Sequence, residues 1–291
     1  MLLLIKYTLL YGIVLMLVAL GGMFSEHSGV INIALEGIMV VGGLAGVLVT
    51  ATLPTNMAPA LIVLAAVVAA AVCGMLYSLL LAFASINLKA DQTIGGTALN
   101  LLSTAIALVV AKRYNGSQSA KLSYDNSPFI FQIGGLTVNV FLIIGLVLLA
   151  ISIVLLYKTR FGLRLQACGE HPQAAGSVGI NVYKMRWAGV LISGFLAGIG
   201  GFAYIVPAVQ TWNFEVGVAG MGFLALAVMI FGQWKPGKIA LAAIFFAIFK
   251  SLANIYDSIG WLSALHLTKE LYNMMPFAAS MVILAFTSKR S

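Results

Sequence analysis

Charge is scarce in this chain: only 8% of its 291 residues are Asp, Glu, Lys or Arg, while 62% are hydrophobic. A soluble core of this length needs far more charged surface, so the scarcity excludes a water-soluble globular domain. Cysteine is almost absent. Cys73 falls in an apolar run and Cys168 in a polar one, so a disulfide between them is geometrically implausible and a zinc site lacks ligands. The three histidines, His27, His171 and His266, share no ligand spacing and have no nucleophile beside them, which removes metal and nucleophilic catalysis. Ten-residue alternation is missing too, and with it a transmembrane barrel. Acidic residues number 8 against 16 basic ones, a net charge of +8. In a soluble protein that excess points to nucleic acid. Here it fits Lys and Arg retained on the cytoplasmic side of a membrane, and nucleic-acid binding is set aside.

What is present is a series of apolar runs, each near the roughly 20 residues that cross a bilayer core. They predict an all-α polytopic membrane protein with spans near 5–22, 33–53, 59–86, 93–111, 136–157, 187–210, 218–232, 239–256 and 271–287. The whole chain, 1–291, reads as one transmembrane domain. Its first span has no basic stretch before it and no small-x-small cleavage site after it, and reads as retained. One long polar interruption, Tyr157 to Trp187, carries Lys158, Arg160, Arg164, Lys184 and Arg186. This handle, residues 158–186, is placed in the cytoplasm, which sets the N-terminus outside and the C-terminus inside. Inside segments then hold Lys89, the five handle charges, Lys235, Lys238, Lys289 and Arg290, against Lys6, Lys112, Arg113, Lys121 and Lys269 outside. Ten against five agrees with the positive-inside rule. Lys250 lies within the eighth span, where its stem can snorkel its charge outward.

Within the handle, Gly169 to Gly179 reads as one short helix between two breakers. Pro172 suits a first helical position and Gly179 a left-handed stop. Such a helix is too short to be stable alone and needs a protein surface to lie against.

Between the first two spans, Phe24 to Gly37 is unusually polar for a membrane-flanking segment. Glu36 matters most, because a carboxylate near a bilayer centre costs about 2.5–3.5 kcal/mol and must face a cavity, a partner or the interface. Asn32 and Glu36 are four apart and are expected to share one helical face. That face either holds the bundle together by hydrogen bonds or touches a transported molecule. Thr93 and Asn100 in the fourth span are further candidates for a wet face. Glycines at 37, 42, 43 and 46 in the second span, and at 189, 194, 198, 200 and 201 in the sixth, let helices approach closely. The loop Arg113 to Gly135 is rich in aromatics, which suit either the docking of an external partner or, like Trp212, Trp234 and Trp261, the headgroup level. Gly232 to Ile239 imitates a phosphate-cradling loop but fails it: Ile239 replaces the magnesium-binding hydroxyl, Pro236 removes a backbone donor and no strand precedes it. No catalytic constellation remains, and the chain is not read as an enzyme.

Three motifs follow one another along the chain: Ser28-Gly-Val-Ile-Asn-Ile-Ala-Leu-Glu-Gly37; Gly169-Glu-His-Pro-Gln-Ala-Ala175 with Gly179-Ile-Asn181 and Ser193 to Gly201; and Gly220 to Gly232. Taken in order, they resemble the permease subunits of bacterial ABC importers of the branched-chain amino acid, simple-sugar and nucleoside group. The Asn32-Ile-x-x-Glu36-Gly37 form and the Gly222-Phe-x-Ala-Leu-Ala run look most like the shorter permease of nucleoside, guanosine-type, systems. His27 stands where such sequences often have Arg, His171 where they often have Asn, and Met221 where Arg is common. The resemblance implies a multi-pass protein of the bacterial cell membrane that works by alternating access. Its partners are a second permease subunit, a cytoplasmic ATPase and an extracellular substrate-binding lipoprotein. ATP and Mg²⁺ are used by the ATPase, and no cofactor is bound by this chain. The resemblance also assigns ATPase coupling to Glu170, His171, Pro172, Ala174, Ala175 and Gly179. The substrate-path candidates are Asn32, Glu36, Thr93 and Asn100.

Other readings compete. A sugar or a branched-chain amino acid fits the same family. An ion-coupled secondary transporter would need intramembrane carboxylates, for which Glu36 is the single good candidate. A non-transporting scaffold leaves the intramembrane polar residues without a purpose.

Overall fold

A computed structural model describes residues 2–54, 57–116, 119–133, 136–255, 271, 274–278 and 281. The architecture is mostly helical. Ten helices have both ends among the described residues: α1 (Leu2–His27), α2 (Leu35–Thr52), α3 (Pro59–Ala82), α4 (Gln92–Asn115), α5 (Val140–Lys158), α6 (Arg160–Glu170), α7 (Pro172–Ser177), α8 (Val182–Ile205), α9 (Met221–Phe231) and α10 (Pro236–Ile255); residues 271, 274–278 and 281 are helical too. Seven of them, α1 to α5, α8 and α10, are long and apolar enough to cross a membrane, α3 with the π-helical turn Phe83–Asn87 that continues it. The expected span at 218–232 is helical only over the 11 residues of α9. At 1.5 Å per residue it is about 16 Å long, too short to cross a core of about 30 Å alone. The expected ninth span lies largely outside the described residues, as do Lys269, Lys289, Arg290, Trp261 and His266.

Local chemistry fixes the helix ends. Asp91 caps α4 by accepting from the N–H groups of Thr93 and Ile94 at 2.8 and 2.9 Å. Asn139, Thr159 and Asn181 cap α5, α6 and α8 in the same way. A side-chain oxygen at this position satisfies a backbone donor that the helix leaves orphaned. These caps move two expected boundaries. The fifth span begins at Val140 because Leu136–Asn139 is a strand. The sixth begins at Val182, so Lys184 and Arg186 ride on the first turns of α8 instead of in the loop.

The core is built around α8, which packs on α1, α3 and α2. Its glycines make this contact. A Cβ on Gly42 would lie within 3 Å of the Gly198 backbone, and one on Gly201 would strike the backbone of Met39. Close backbone approach of this kind replaces the hydrophobic drive that helices lack in lipid.

The two ends of the bundle differ. At one end Gly169 packs against His27, Asn87 Nδ2 donates to Tyr183 Oη at 3.0 Å, and the α9–α10 turn meets the end of α1. Lys89, the handle and Lys235 therefore share a side. At the other end, strands β1 (Lys121–Ser123) and β4 (Thr211–Asn213) pair antiparallel, and β2 (Ile130–Ile133) pairs with β3 (Leu136–Asn139). Phe129, Phe141 and Phe202 lock this cap to the bundle with ring centroids 5.4–5.9 Å apart. Tyr124 donates to Ile205 O at 3.2 Å, and burial pushes its phenol well above the ordinary value.

Candidate functional site

The chain leaves helical geometry after His27, passes through Gly29 at φ +84, and resumes as α2 only at Leu35. Asn32 is therefore not helical, and the expected face shared by Asn32 and Glu36 does not form. Asn32 lies in the irregular stretch between Gly29 and Leu35, where turns replace the helical periodicity on which that expectation depended. Irregular backbone at membrane depth persists only where protein satisfies its polar groups, and here several of them find partners, although the buried Asn32 Oδ1 has none. Ser25 Oγ donates to Val30 O at 2.7 Å. The Ile31 N–H donates to Gln92 Oε1 at 2.7 Å. Asn100 Nδ2 donates to Ile33 O at 3.0 Å, and Asn100 Oδ1 accepts from the Gly37 N–H at 2.7 Å. Asn32 is fully buried and donates from Nδ2 to Ser193 Oγ at 2.8 Å. Gln92 and Asn100 are eight residues apart, so this segment climbs about 12 Å along α4 before α2 takes over.

Glu36 sits in the first turn of α2 and closes the end of α9. Gly220, at φ +76, occupies the N-cap position of α9 and has no side chain to offer. The Glu36 carboxylate serves instead, accepting from Gly220 N–H at 2.8 Å and from Gly222 N–H at 2.6 Å. A carboxylate suits this place because helix starts carry partial positive charge. A Cβ on Gly222 would collide with the Glu36 backbone, so glycine there is required by proximity. The half-length helix is thereby tied to α2 at one end.

Its other end is tied to α1. Gln233 and Trp234, in the turn after α9, both adopt left-handed conformations, φ +52 and +53, that non-glycine residues rarely hold. Trp234 Nε1 donates to Glu26 Oε2 at 2.5 Å, and His27 Nε2 donates to Trp234 O at 3.1 Å. Beside this clasp opens a cleft of about 470 Å³ lined by Glu26, His27, Gln166, Glu170, Trp234 and Lys235.

The handle forms two helices where one was expected. Gly169 and Glu170 are the last residues of α6, which is capped by Thr159 and packed inward through Gly162, Leu165 and Cys168. Burial pushes the Cys168 thiol up from its ordinary value, with the nearby Arg186 charge working against it. The chain bends at His171, Pro172 starts α7, and Gly179 at φ +83 ends it. The Ile180 and Gly179 N–H groups return to Ala175 O and Gly176 O at 3.1 and 3.0 Å, the paired closure of a left-handed helix stop. Glu170, His171 and Ala174 are exposed, whereas Ala175 is 4% exposed and faces this chain's own α6 and α8 side.

Of the sequence-predicted path residues, Asn32, Glu36 and Asn100 thus converge where α2 begins, and Thr93 stands apart, exposed on the first turn of α4. Gln92, Ser193 and the Glu26–Trp234 clasp were not foreseen as parts of the site. Among the described residues no three His, Cys, Asp or Glu side chains gather as a metal site.

Comparison with known proteins gives the arrangement its lineage. Residues 4–285 match the family model described as branched-chain amino acid transport system / permease component. The nucleoside ABC transporter permease protein NupC of Lactococcus lactis is 38% identical over 291 residues, covering 95% of this chain and 89% of that protein. The guanosine ABC transporter permease protein NupQ of Bacillus subtilis is 39% identical over 296 residues, covering 96% and 89%. A second Lactococcus lactis protein, the nucleoside ABC transporter permease protein NupB, is 30% identical over 115 residues, 40% of this chain and 32% of its own length. No solved structure matches. The chain, a multi-pass membrane protein and a transport subunit with no catalytic role of its own, belongs to the permease components of the branched-chain amino acid transport system family.

Proposed function

We propose that this chain is the permease subunit of an ATP-driven nucleoside importer in the bacterial cell membrane, paired with a second permease, a cytoplasmic ATPase and an external substrate-binding lipoprotein. The observation that carries it is α9, a half-span pinned to α2 by Glu36 at membrane depth and clasped to α1 by Trp234 next to the handle. The nucleoside comes from the names of NupC and NupQ. NupC and NupB come from one organism, which supports pairing with a second permease.

In this reading the handle is cytoplasmic and α7 is the coupling helix, seated in a groove on the ATPase through its exposed side. Glu170 and His171 present polar groups there, and Ala174 permits close seating. Ala175 holds α7 to the permease. Closure of the ATPases displaces α7 and α6, the clasp passes the displacement to α9, and α9 shifts the polar turn where α2 begins. Glu36 is occupied in capping a helix, which weighs against an ion-coupling role and favours the ATP-driven reading over a secondary transporter.

Two experiments test this. Affinity purification of the tagged chain in mild detergent should recover an ATPase and a second permease; recovery of this chain alone would sink the proposal. Ala174→Arg should abolish ATP-dependent guanosine uptake while insertion and folding persist, because the new side chain projects from an exposed position into the ATPase groove. Uptake at wild-type rate would show that α7 does not dock there.

The clasp has its own expectation. Trp234→Phe keeps the ring and removes the donor, leaving Glu26 without it. A hydrogen bond to a charged group is worth about 1.5–3 kcal/mol. ATP hydrolysis should continue and uptake per ATP should fall by roughly tenfold, measured as radiolabelled guanosine per phosphate released in proteoliposomes.

A further inference from the structure

Lys250 is a basic residue placed inside a described span, α10. It lies 14 residues beyond Pro236 on α10, about 21 Å along a core about 30 Å thick. A cation at such a depth is costly and ordinarily marks an interior path or a partner. Lys250 lines a cavity of about 350 Å³ together with Gly220, Met221, Phe223, Pro276 and Phe277. That volume lies within the roughly 300–1,000 Å³ of small-molecule sites, which are mostly apolar with a few placed polar groups. Phe223 and Phe277 are each 46% exposed, so ring surface is available to a visitor. Glu36, which accepts from the two glycine N–H groups beside the cavity, is near enough to feel the Lys250 charge.

We propose that this cavity is a nucleoside subsite on the transport path, with Phe223 and Phe277 offering faces for the base and the Lys250 ammonium donating to its carbonyl or ring-nitrogen acceptors. The proposal rests on the nucleoside-importer reading and deepens it by naming where the substrate is held at membrane depth. An uncharged molecule with a planar base rimmed with acceptors matches this lining. A lipid headgroup does not, because Met221, Phe223, Leu224, Pro276 and Phe277 make most of the wall apolar. The subsite adjoins the first turn of α9, so the same shift that carries ATPase movement to α9 would reshape it.

The test uses the complete complex in proteoliposomes with radiolabelled guanosine. Lys250→Met should raise the KM for uptake by about tenfold, the loss of one charged donor, and Lys250→Arg should restore most of it. In a cysteine-free background, Phe223→Cys should be alkylated more slowly when guanosine is present during turnover. A Lys250→Met complex with wild-type KM, or a Phe223→Cys complex labelled at the same rate with and without guanosine, overturns the subsite. If Lys250→Met fails to assemble, the labelling experiment alone decides. A wild-type complex that moves no nucleoside overturns the importer reading and the subsite with it, whereas an active wild type beside an unaffected Lys250→Met overturns the subsite alone.

Discussion

Complexes carrying Glu36→Ala will hydrolyse ATP and accumulate roughly a hundredfold less substrate than wild type. The side chain makes two charge-assisted bonds to the backbone of α9, at 2.8 and 2.6 Å. Each is worth about 1.5–3 kcal/mol, and removal leaves two donors unsatisfied away from water. A loss of about 3 kcal/mol frees the α9 end in most molecules, since each 1.4 kcal/mol is tenfold. Glu36→Gln should be intermediate: its carbonyl oxygen can serve one N–H, but its amide presents a donor to the other. The readouts are guanosine uptake and phosphate release from the same proteoliposomes, so that a coupling defect is separated from an assembly defect. Full ATP-dependent uptake by Glu36→Gln would show that the cap does not hold the moving helix. Transport by the purified chain alone, down an ion gradient, would return the secondary-transporter reading.

The spans were legible because burial in lipid writes itself into uninterrupted apolar runs, and seven of them appear where those runs lie. Their ends were less so. Asn139 and Asn181 are polar residues that sequence reading leaves in loops or passes over, and only their backbone acceptance shows where a helix starts. The handle's second half was readable from Pro172 and Gly179; α6 was missed because its buried stripe of Gly162, Leu165 and Cys168 is too short and too weakly apolar to stand out among arginines. Glu36 announced itself as an expensive charge, but its partners did not, since a backbone N–H 184 or 186 residues away leaves no side-chain signature. Asn32 was misplaced because the stretch before Leu35 is held by Gln92, Asn100 and Ser193, distant residues that leave no local mark, and not by a helix of its own. Ala174 and Ala175 are identical to the eye in sequence, and only the fold shows that one faces out and the other in.

The heaviest structural penalty is expected at the contact between α2 and α8. With Gly201→Val, the first added atom would land on the carbonyl and Cα of Met39, and both obstacles are backbone, so no rotamer change relieves them. The two helices must separate, and overpacking of this kind costs about 3 kcal/mol or more where nothing can yield. Separation would not stay local. Gly42 and Gly198 meet backbone to backbone in the same interface, Asn32 reaches Ser193 on α8 at 2.8 Å, and α2 carries the carboxylate that holds α9. Gly201→Val should therefore remove the monodisperse peak of the detergent-solubilised chain in size-exclusion chromatography, and with it all transport. Gly237→Ala is the matched control, because a Cβ there meets nothing within 4 Å and the residue lies in the first turn of α10. It should leave the peak and its thermal midpoint unchanged or slightly raised, since alanine is the better helix former. A Gly201→Val chain that elutes and melts like wild type would mean that α2 and α8 do not touch through their backbones, and the path from handle to α2 would then need another route.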